Sequence, residues 1–181
     1  MNGVPPAVLL DGNQLRGAYG AFPSGVVAVC AQVDDEPVGM AVSAFMPVSI
    51  DPPLLGVCIQ NTSSTWPRLR EAGVVGVSVL RRSHHRVARQ LASKNGDRFA
   101  NVTSEVTERG ALVLSDAERW FECSVHAETA AGDHVFVLLR VLQISEFDDA
   151  SDPMVFHGSE FKSLERQPAV PPAPSTLDGM R

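Results

Sequence analysis

Short apolar runs with strand-like composition, separated by turn residues, recur along most of this chain. The runs lie at residues 26–32, 38–43, 54–59, 74–80 and 154–157, and a glycine or proline directly precedes each of them. Runs of this length and composition predict β-strands. Residues 131–133 form a Gly-Asp turn between two longer runs, 120–127 and 134–144, which favours a hairpin. Few helical segments intervene, so the sequence predicts a mainly β barrel or sandwich rather than an alternating α/β fold.

Three short helices are expected between these strands. Asp11 is a suitable N-cap for a helix that extends to Tyr19. The hydroxyl-rich segment 62–67 predicts a second helix start, with Pro67 in the first turn. A third helix is predicted over residues 83–91, with Ser83 as its N-cap, and a polar loop follows at 93–103.

The run 120–127 alternates in the manner of a half-buried strand. We expect one set of side chains to be buried, namely Phe121, Cys123 and Val125. The other set, Glu122, Ser124 and His126, is expected to be solvated. The His84-His85 pair does not suggest a metal site, because adjacent helical residues point about 100° apart. Both histidines are expected to be solvated at the start of a helix, and no metal centre is predicted.

Charge and cysteine content narrow the function classes. The formal net charge of −6 argues against nucleic-acid binding, which needs a basic surface. No apolar run approaches the ~20 residues needed to span a bilayer, and no signal peptide is recognisable, so a cytoplasmic protein is expected. The sequence contains three cysteines, each inside an apolar run, and we interpret them as reduced buried thiols.

The chain length fits one domain with a tail. We assign residues 1–165 to the domain and residues 166–181 to a mobile tail, because the tail is rich in proline and cannot pair in a sheet. Truncating the tail is expected to leave the domain intact.

Few catalytic motifs are present in this sequence. It has no phosphate loop of the G-x-x-x-x-G-K type, no G-x-G-x-x-G turn, no H-E-x-x-H and no G-x-S-x-G. What remains is a set of side chains suited to an anion: Ser43, Ser49, Ser63, Ser64, Thr65, Lys94 and Arg98. Ordinary turn chemistry accounts for such hydroxyl clusters equally well.

The segment 39–53 combines an apolar strand pattern with small residues and hydroxyls, which allow a ligand to approach the main chain. Seven blocks of the chain, two of them in this segment, resemble the short-chain flavin reductases, the reductase components of two-component flavin-dependent monooxygenases. The blocks occur in family order over residues 15–164, at residues 22–26, 39–45, 48–54, 63–65, 76–80, 97–99 and 132–134.

The resemblance implies an FMN-binding split β-barrel that forms a homodimer and binds FMN or FAD across the dimer interface. It implies NAD(P)H as electron donor, direct hydride transfer to the flavin, and delivery of reduced flavin to a separate monooxygenase or halogenase. Members bind the nicotinamide nucleotide without a G-x-G-x-x-G turn. Two alternatives remain open: a retained flavin that reduces another acceptor, and a flavin-binding protein without turnover.

The resemblance also implies positions for the site. His134 is the candidate for a catalytic residue beside the nicotinamide. The alternative interpretation is that His134 only begins a strand after a turn. Two of the usual hydroxyl residues are replaced by Ala41 and Ala44, and a usual asparagine by Ser78, which implies fewer side-chain donors to the flavin. The implied flavin contacts are Met40, Ala41, Val42, Ser43, Val48, Ser49, Cys58, Ile59, Gln60, Asn61, Ser63, Thr65, Lys94, Arg98 and Phe99.

Overall fold

The computed structural model describes residues 10–146 and 152–164, so the proposed tail lies outside the described residues. The strands are β1 (Ser24–Gly25), β2 (Val27–Val33), β3 (Glu36–Val42), β4 (Phe45–Ser49), β5 (Leu54–Gln60), β6 (Val74–Val79), β7 (Ser104–Val106), β8 (Leu112–Leu114), β9 (Arg119–Ala131), β10 (His134–Ile144), β11 (Met154–His157) and β12 (Glu160–Ser163). The helices are α1 (Gly12–Gly20), α2 (Trp66–Glu71) and α3 (His85–Ala92), the last preceded by a 3₁₀ turn at Arg82–His84.

Seven antiparallel strands form the main sheet, in the order β3-β2-β6-β9-β10-β5-β4. The two edge strands are consecutive in the chain, since β3 ends at Val42 and β4 begins at Phe45. Three residue steps span no more than about 11 Å, so the two edges of the sheet must meet. The sheet therefore closes on itself as a barrel, with Ser43 and Ala44 at the seam. The amide of Cys58 on β5 donates to the carbonyl of Ala44 at 3.0 Å, which extends the β4–β5 pairing to the seam.

Two apolar clusters form the core, and β2 contributes to both of them. Val27, Val29 and Ala31 belong to the cluster that includes Val57, Val77, Val137 and Leu139. The alternate residues Val26, Ala28 and Cys30 belong to a second cluster, with Leu80, Leu91, Leu114 and Met154. A strand buried on both faces needs a nearly continuous apolar sequence, which explains why this run contains no alternation.

The main elements agree with the sequence-based expectations. Asp11 caps α1, and its side chain accepts from the amides of Asn13 and Gln14. Strands β10 and β11 begin and end at the expected residues, and β9 and β10 pair as a hairpin. The short strands β1, β4, β7, β8 and β12 were not expected as separate elements, because two to five residues give too little periodicity. Within residues 10–146 and 152–164, no helix has the length and apolarity to cross a membrane.

The expected N-cap of α3 was wrong. Ser83 lies inside the 3₁₀ turn, and the α-helix begins at His85 with His84 at the cap position. His84 was expected to be solvated but is buried, with 4% of its surface exposed. Its Nδ1 accepts from the amide of Arg81 at 3.0 Å, and its Nε2 lies 3.0 Å from a carboxylate oxygen of Asp116. These polar contacts offset the cost of removing the imidazole from water.

Glu122 was expected on the solvated side of its strand but is fully buried. The turn between β7 and β8 covers it, because the Thr107 hydroxyl and Arg109 Nη1 both donate to its carboxylate, the latter at 3.2 Å. Strand alternation identifies the two faces of β9 but does not show that a distant hairpin covers the polar one. His126 is exposed, as expected.

The close approach between β6 and β8 requires glycine at position 76. A Cβ built on Gly76 would lie 2.0 Å from the Leu112 carbonyl oxygen and 2.7 Å from its carbonyl carbon. Main-chain atoms cannot rotate away, so β8 would have to move. We expect Gly76→Ala to lower the free energy of unfolding by about 3 kcal/mol or more, measured by urea denaturation.

Gly25→Ala is the matched control, because Gly25 is also a strand residue and nothing lies within 4 Å of its added Cβ. We expect this variant to unfold within about 0.5 kcal/mol of the wild type. Equal stabilities for the two variants would contradict the close approach of β6 and β8.

Candidate functional site

A cavity of about 500 Å³ opens at the seam of the barrel. Its volume is within the range of roughly 300–1,000 Å³ that is usual for cofactor pockets. The end of β3, the β3–β4 connection, the end of β5 and the segment before α2 form most of the wall. The lining residues are Met40, Ala41, Val42, Ser43, Ala44, Cys58, Ile59, Gln60, Thr62, Ser63, Ser64, Thr65, Leu91, Ala92, Lys94, Arg98 and His134.

A second cavity of about 480 Å³ adjoins the first. It is formed by the beginning of β3, by α2 and by the loop after α3. Its lining residues are Pro37, Val38, Gly39, Ser64, Thr65, Arg68, Lys94, Gly96, Asp97, Arg98 and Phe99. Four residues line both cavities and therefore mark the boundary between them: Ser64, Thr65, Lys94 and Arg98.

The guanidinium of Arg98 is fixed at this boundary by two hydrogen bonds. Arg98 Nη1 donates to the Gly39 carbonyl at 3.0 Å and to the Thr65 hydroxyl at 2.7 Å. Both bonds use the same nitrogen, so Nη2 and Nε retain the capacity to donate to an anion. The arrangement joins β3, the start of α2 and the loop after α3 around one positive charge.

Gln90 holds the loop that carries the cations, a role that no sequence motif indicated. Its side-chain amide donates to the carbonyls of Asp97 and Ala100, at 3.1 and 2.9 Å. The Asp97 side chain in turn accepts from the amide of Phe99 at 2.8 Å. In the described part of the chain, Lys94 has no carboxylate within 4.0 Å, so its charge is not neutralised by an ion pair there.

The hydroxyl cluster before α2 has partly structural partners. Ser63 Oγ accepts from the amide of Trp66 at 3.2 Å and so stabilises the start of α2. Trp66 itself is buried, and its indole Nε1 donates to Glu128 on β9 at 2.8 Å. The helix that supports the site is therefore anchored to the main sheet. A serine or threonine hydroxyl that accepts one bond still has a proton to donate.

His134 lines the first cavity at the beginning of β10, opposite Gln60 on β5. Its Nδ1 lies 2.7 Å from Oδ1 of Asp133, a neighbour that the sequence analysis did not single out. The hydrogen bond to His134, and then its charge, hold the pKa of the exposed Asp133 carboxyl below its usual value. Asp133 therefore engages Nδ1, which leaves Nε2 as the other nitrogen for a ligand.

The structure brings most of the expected site residues together. All of them line the first cavity except Val48, Ser49, Asn61 and Phe99. Val48 and Ser49 lie on β4, the Asn61 side chain donates to the Gly132 carbonyl at 3.2 Å, and Phe99 lines the second cavity. Thr62, Leu91 and Ala92 line the first cavity without having been expected there, and so does Ser64, which was expected only as a side chain suited to an anion.

Two of the three sequence departures belong to the site. Ala41 and Ala44 line the first cavity, so the absence of a hydroxyl at these positions removes possible donors from its wall. Ser78 lines neither cavity; it is fully buried, and its Oγ accepts from the amide of Leu114 at 3.0 Å. Ser78 therefore joins β6 to β8 and is not a missing ligand donor.

The cysteines are all free thiols. Burial raises the pKa of Cys30 to about 12 and that of Cys123 to about 12, which keeps both protonated and unreactive. Cys58 is only partly buried and lines the first cavity. The expectation of buried thiols is thus confirmed for two of the three positions.

The fold and the site together define a class: a closed antiparallel barrel with a polar cofactor cavity at its seam. Comparison with known proteins agrees with that description. The model of the flavin reductase like domain matches residues 19–165. The chain belongs to this family, and the expected resemblance and the mainly β barrel fold are confirmed.

Three similar proteins illustrate the likeness. A flavin reductase of Pseudomonas putida is 33% identical over 144 residues, which cover 78% of this chain and 85% of that protein. The NADH:FAD oxidoreductase SgcE6 of Streptomyces globisporus C-1027 superposes with a TM-score of 0.78 at 32% identity, covering 90% of this chain and 100% of that one. BorF, the flavin reductase component of a bacterial two-component tryptophan halogenase, superposes with a TM-score of 0.78 at 31% identity. The match covers 87% of this chain and 100% of BorF.

Proposed function

We propose that this protein is an NAD(P)H:flavin oxidoreductase that reduces FMN or FAD and supplies the reduced flavin to a separate monooxygenase or halogenase. The observation that carries the proposal is the seam cavity, with its hydroxyls and two cations, in a chain of the flavin reductase family. The names of the similar proteins support NADH as donor and an oxygenase or halogenase as acceptor of the reduced flavin.

The residues present fit a flavin. Met40, Ala41 and Cys58 are only partly buried and give one part of the wall an apolar surface suited to an aromatic ring system, and Gln60 adds an amide for its polar edge. Lys94 and Arg98 supply positive charge for a phosphate, and the Ser63, Ser64 and Thr65 hydroxyls supply donors. We propose Met40, Ala41, Val42, Ser43, Cys58, Ile59, Gln60, Ser63, Thr65, Lys94 and Arg98 as flavin contacts.

A bound flavin would supply the redox chemistry, as the acceptor of a hydride from the reduced nicotinamide. The role of the chain would be to hold the two rings in contact and to set their electrostatic environment. The barrel seam forms one side of the cavity. His134 lies where Nε2 can hydrogen-bond the nicotinamide amide or the flavin edge, while Asp133 holds Nδ1. With the Nδ1 proton donated to Asp133, Nε2 accepts in the neutral ring and donates only in the imidazolium. A positive imidazolium there would favour negative charge on the reduced ring.

His134→Ala tests the function and the role of His134 together. We expect the wild type to oxidise NADH or NADPH only when free flavin is added, and the variant to lose roughly 10–100-fold in kcat/KM for the nucleotide. Such a loss corresponds to a bond of ~1.4–2.7 kcal/mol made in the transition state. The measurement is steady-state oxidation of NADH and NADPH with FMN and with FAD.

His126→Ala is the matched control, since His126 lies exposed on β9 and lines neither cavity. Flavin dissociation constants, from fluorescence quenching without nucleotide, should change little in both variants. Wild-type kinetics in His134→Ala would remove His134 from the mechanism, and binding without turnover in the wild type would refute the reductase function.

Arg98→Ala tests the position of the flavin phosphate. We expect the variant to bind FMN about 1.5–3 kcal/mol more weakly, because a charge-assisted hydrogen bond is lost. Riboflavin, which lacks the phosphate, should be affected much less. The comparison of two ligands in one variant separates phosphate contact from the support that Arg98 gives to Gly39 and Thr65, since loss of that support weakens both ligands equally.

We also propose that the protein is a cytoplasmic homodimer. Strand β4 is an edge of the main sheet, and Met46 and Val48 on it are 47% and 44% exposed. Ile50, directly after it, is 93% exposed. An exposed apolar surface of this kind favours association with another chain. Val48 and Ser49, which line neither cavity, would then be covered by the second copy. Free cysteines are compatible with a reducing compartment.

Ile50→Asp should convert the dimer to a monomer, because a carboxylate buried at the interface would lack a partner. Its extreme exposure in the single chain means that the substitution should not disturb the barrel. Mass from light scattering after size exclusion is the measurement. Val106→Asp, at another exposed apolar position (49%), serves as control and should remain a dimer. A wild-type monomer would contradict the proposal outright.

A further inference from the structure

The second cavity is the feature that the reduction of a flavin ring does not use. It is nearly as large as the first, about 480 Å³ against 500 Å³, and none of its walls carries His134 or the seam residues. The two cavities meet at Ser64, Thr65, Lys94 and Arg98. A ligand that extends from one into the other must therefore pass two hydroxyls and two cations.

This boundary suits a pyrophosphate better than a single phosphate. A pyrophosphate carries two negative charges between two organic groups, and the boundary offers two positive charges between two cavities. Arg98 is held rigidly by Gly39 and Thr65 while Nη2 and Nε retain donor capacity. Lys94 contributes a charge that no described carboxylate neutralises. FMN would place its phosphate at this boundary and leave the second cavity unused.

The second cavity has the groups that a nucleoside needs. Asp97 is exposed, and since its Oδ1 accepts from the Phe99 amide, Oδ2 can accept from the hydroxyls of a ribose. Phe99 provides an aromatic surface, on which any nucleobase can stack. Arg68 adds a third cation; its only described ion pair, with Glu36 at 3.9 Å, is long and exposed.

We infer that the second cavity binds the adenosine monophosphate half of FAD, so that FAD is the preferred flavin of this protein. The inference rests on the proposed function and deepens it. Lys94 and Arg98 neutralise the pyrophosphate, Arg68 reinforces them on the adenylate side, and Asp97 and Phe99 hold the adenosine. Arg68, Asp97 and Phe99 are thus residues that distinguish FAD from FMN.

Arg68→Ala is the decisive variant, because Arg68 lines only the second cavity. We expect the wild type to bind FAD at least about tenfold more tightly than FMN, measured by titration calorimetry of the full chain. Arg68→Ala should weaken the binding of FAD about 5–10-fold and the binding of FMN less than about twofold. The effect on FAD is moderate because the contact of a half-exposed arginine is screened by solvent. Asp97→Asn should likewise weaken FAD selectively, while its amide oxygen still accepts from Phe99.

Arg70→Ala is the matched control. Arg70 lies on the same helix and pairs with Glu128 at 3.4 Å, but it lines neither cavity, so both flavin affinities should be unchanged. Binding of NADH to each variant, measured separately, should also be unaffected. If Arg68→Ala weakens the binding of NADH and leaves the binding of FAD unchanged, the second cavity binds the nicotinamide nucleotide and the inference fails.

The outcomes also separate this inference from the proposed function. Equal affinity of the wild type for FMN and FAD, with no selective effect of Arg68→Ala, would overturn the adenylate assignment and leave flavin reduction intact. A wild type that binds neither flavin would overturn both.

Discussion

The short connection between β3 and β4 is the constraint on which the rest of the molecule depends. Two residues join strands that occupy opposite edges of a seven-stranded sheet, so the sheet must curl until those edges meet. The cavity lies at this meeting point, and residues 40–44 and 58–60 form its wall because they are the end of β3 with its connection to β4, and the end of β5. Small residues at 41, 43 and 44 keep space open where larger side chains would fill it.

The charge of the site comes from a different part of the chain and is held by polar contacts rather than by the sheet. The loop after α3 brings Lys94 and Arg98 against β3 and α2, and Gln90 fixes the carbonyls at positions 97 and 100. Arg98 completes the connection by donating to Gly39 and Thr65. The apolar wall and the cationic wall thus have separate origins, one in strand topology and the other in hydrogen bonds between loops.

Local pattern was enough to predict the longer elements. The apolar runs, the hairpin at residues 131–133 and the N-cap at Asp11 all follow from short-range chemistry, and they are present as expected. The family resemblance located the cavity residues, which periodicity alone could not have selected. The failures have a common cause: Glu122, His84 and Ser78 are polar residues whose partners are distant in the chain. The residues next to them in the sequence do not indicate that Arg109, Asp116 and the Leu114 amide are their partners.

The double burial of β2 has a consequence for how this protein can change. A strand that contributes alternate side chains to two clusters has no free face, so nearly every substitution in it alters a packed volume. At the seam, in contrast, β3 combines buried positions with exposed ones, and none of the residues of β4 is buried. Variation among relatives of this chain should therefore concentrate at the seam, where new ligand preferences can arise while β2 keeps the barrel unchanged.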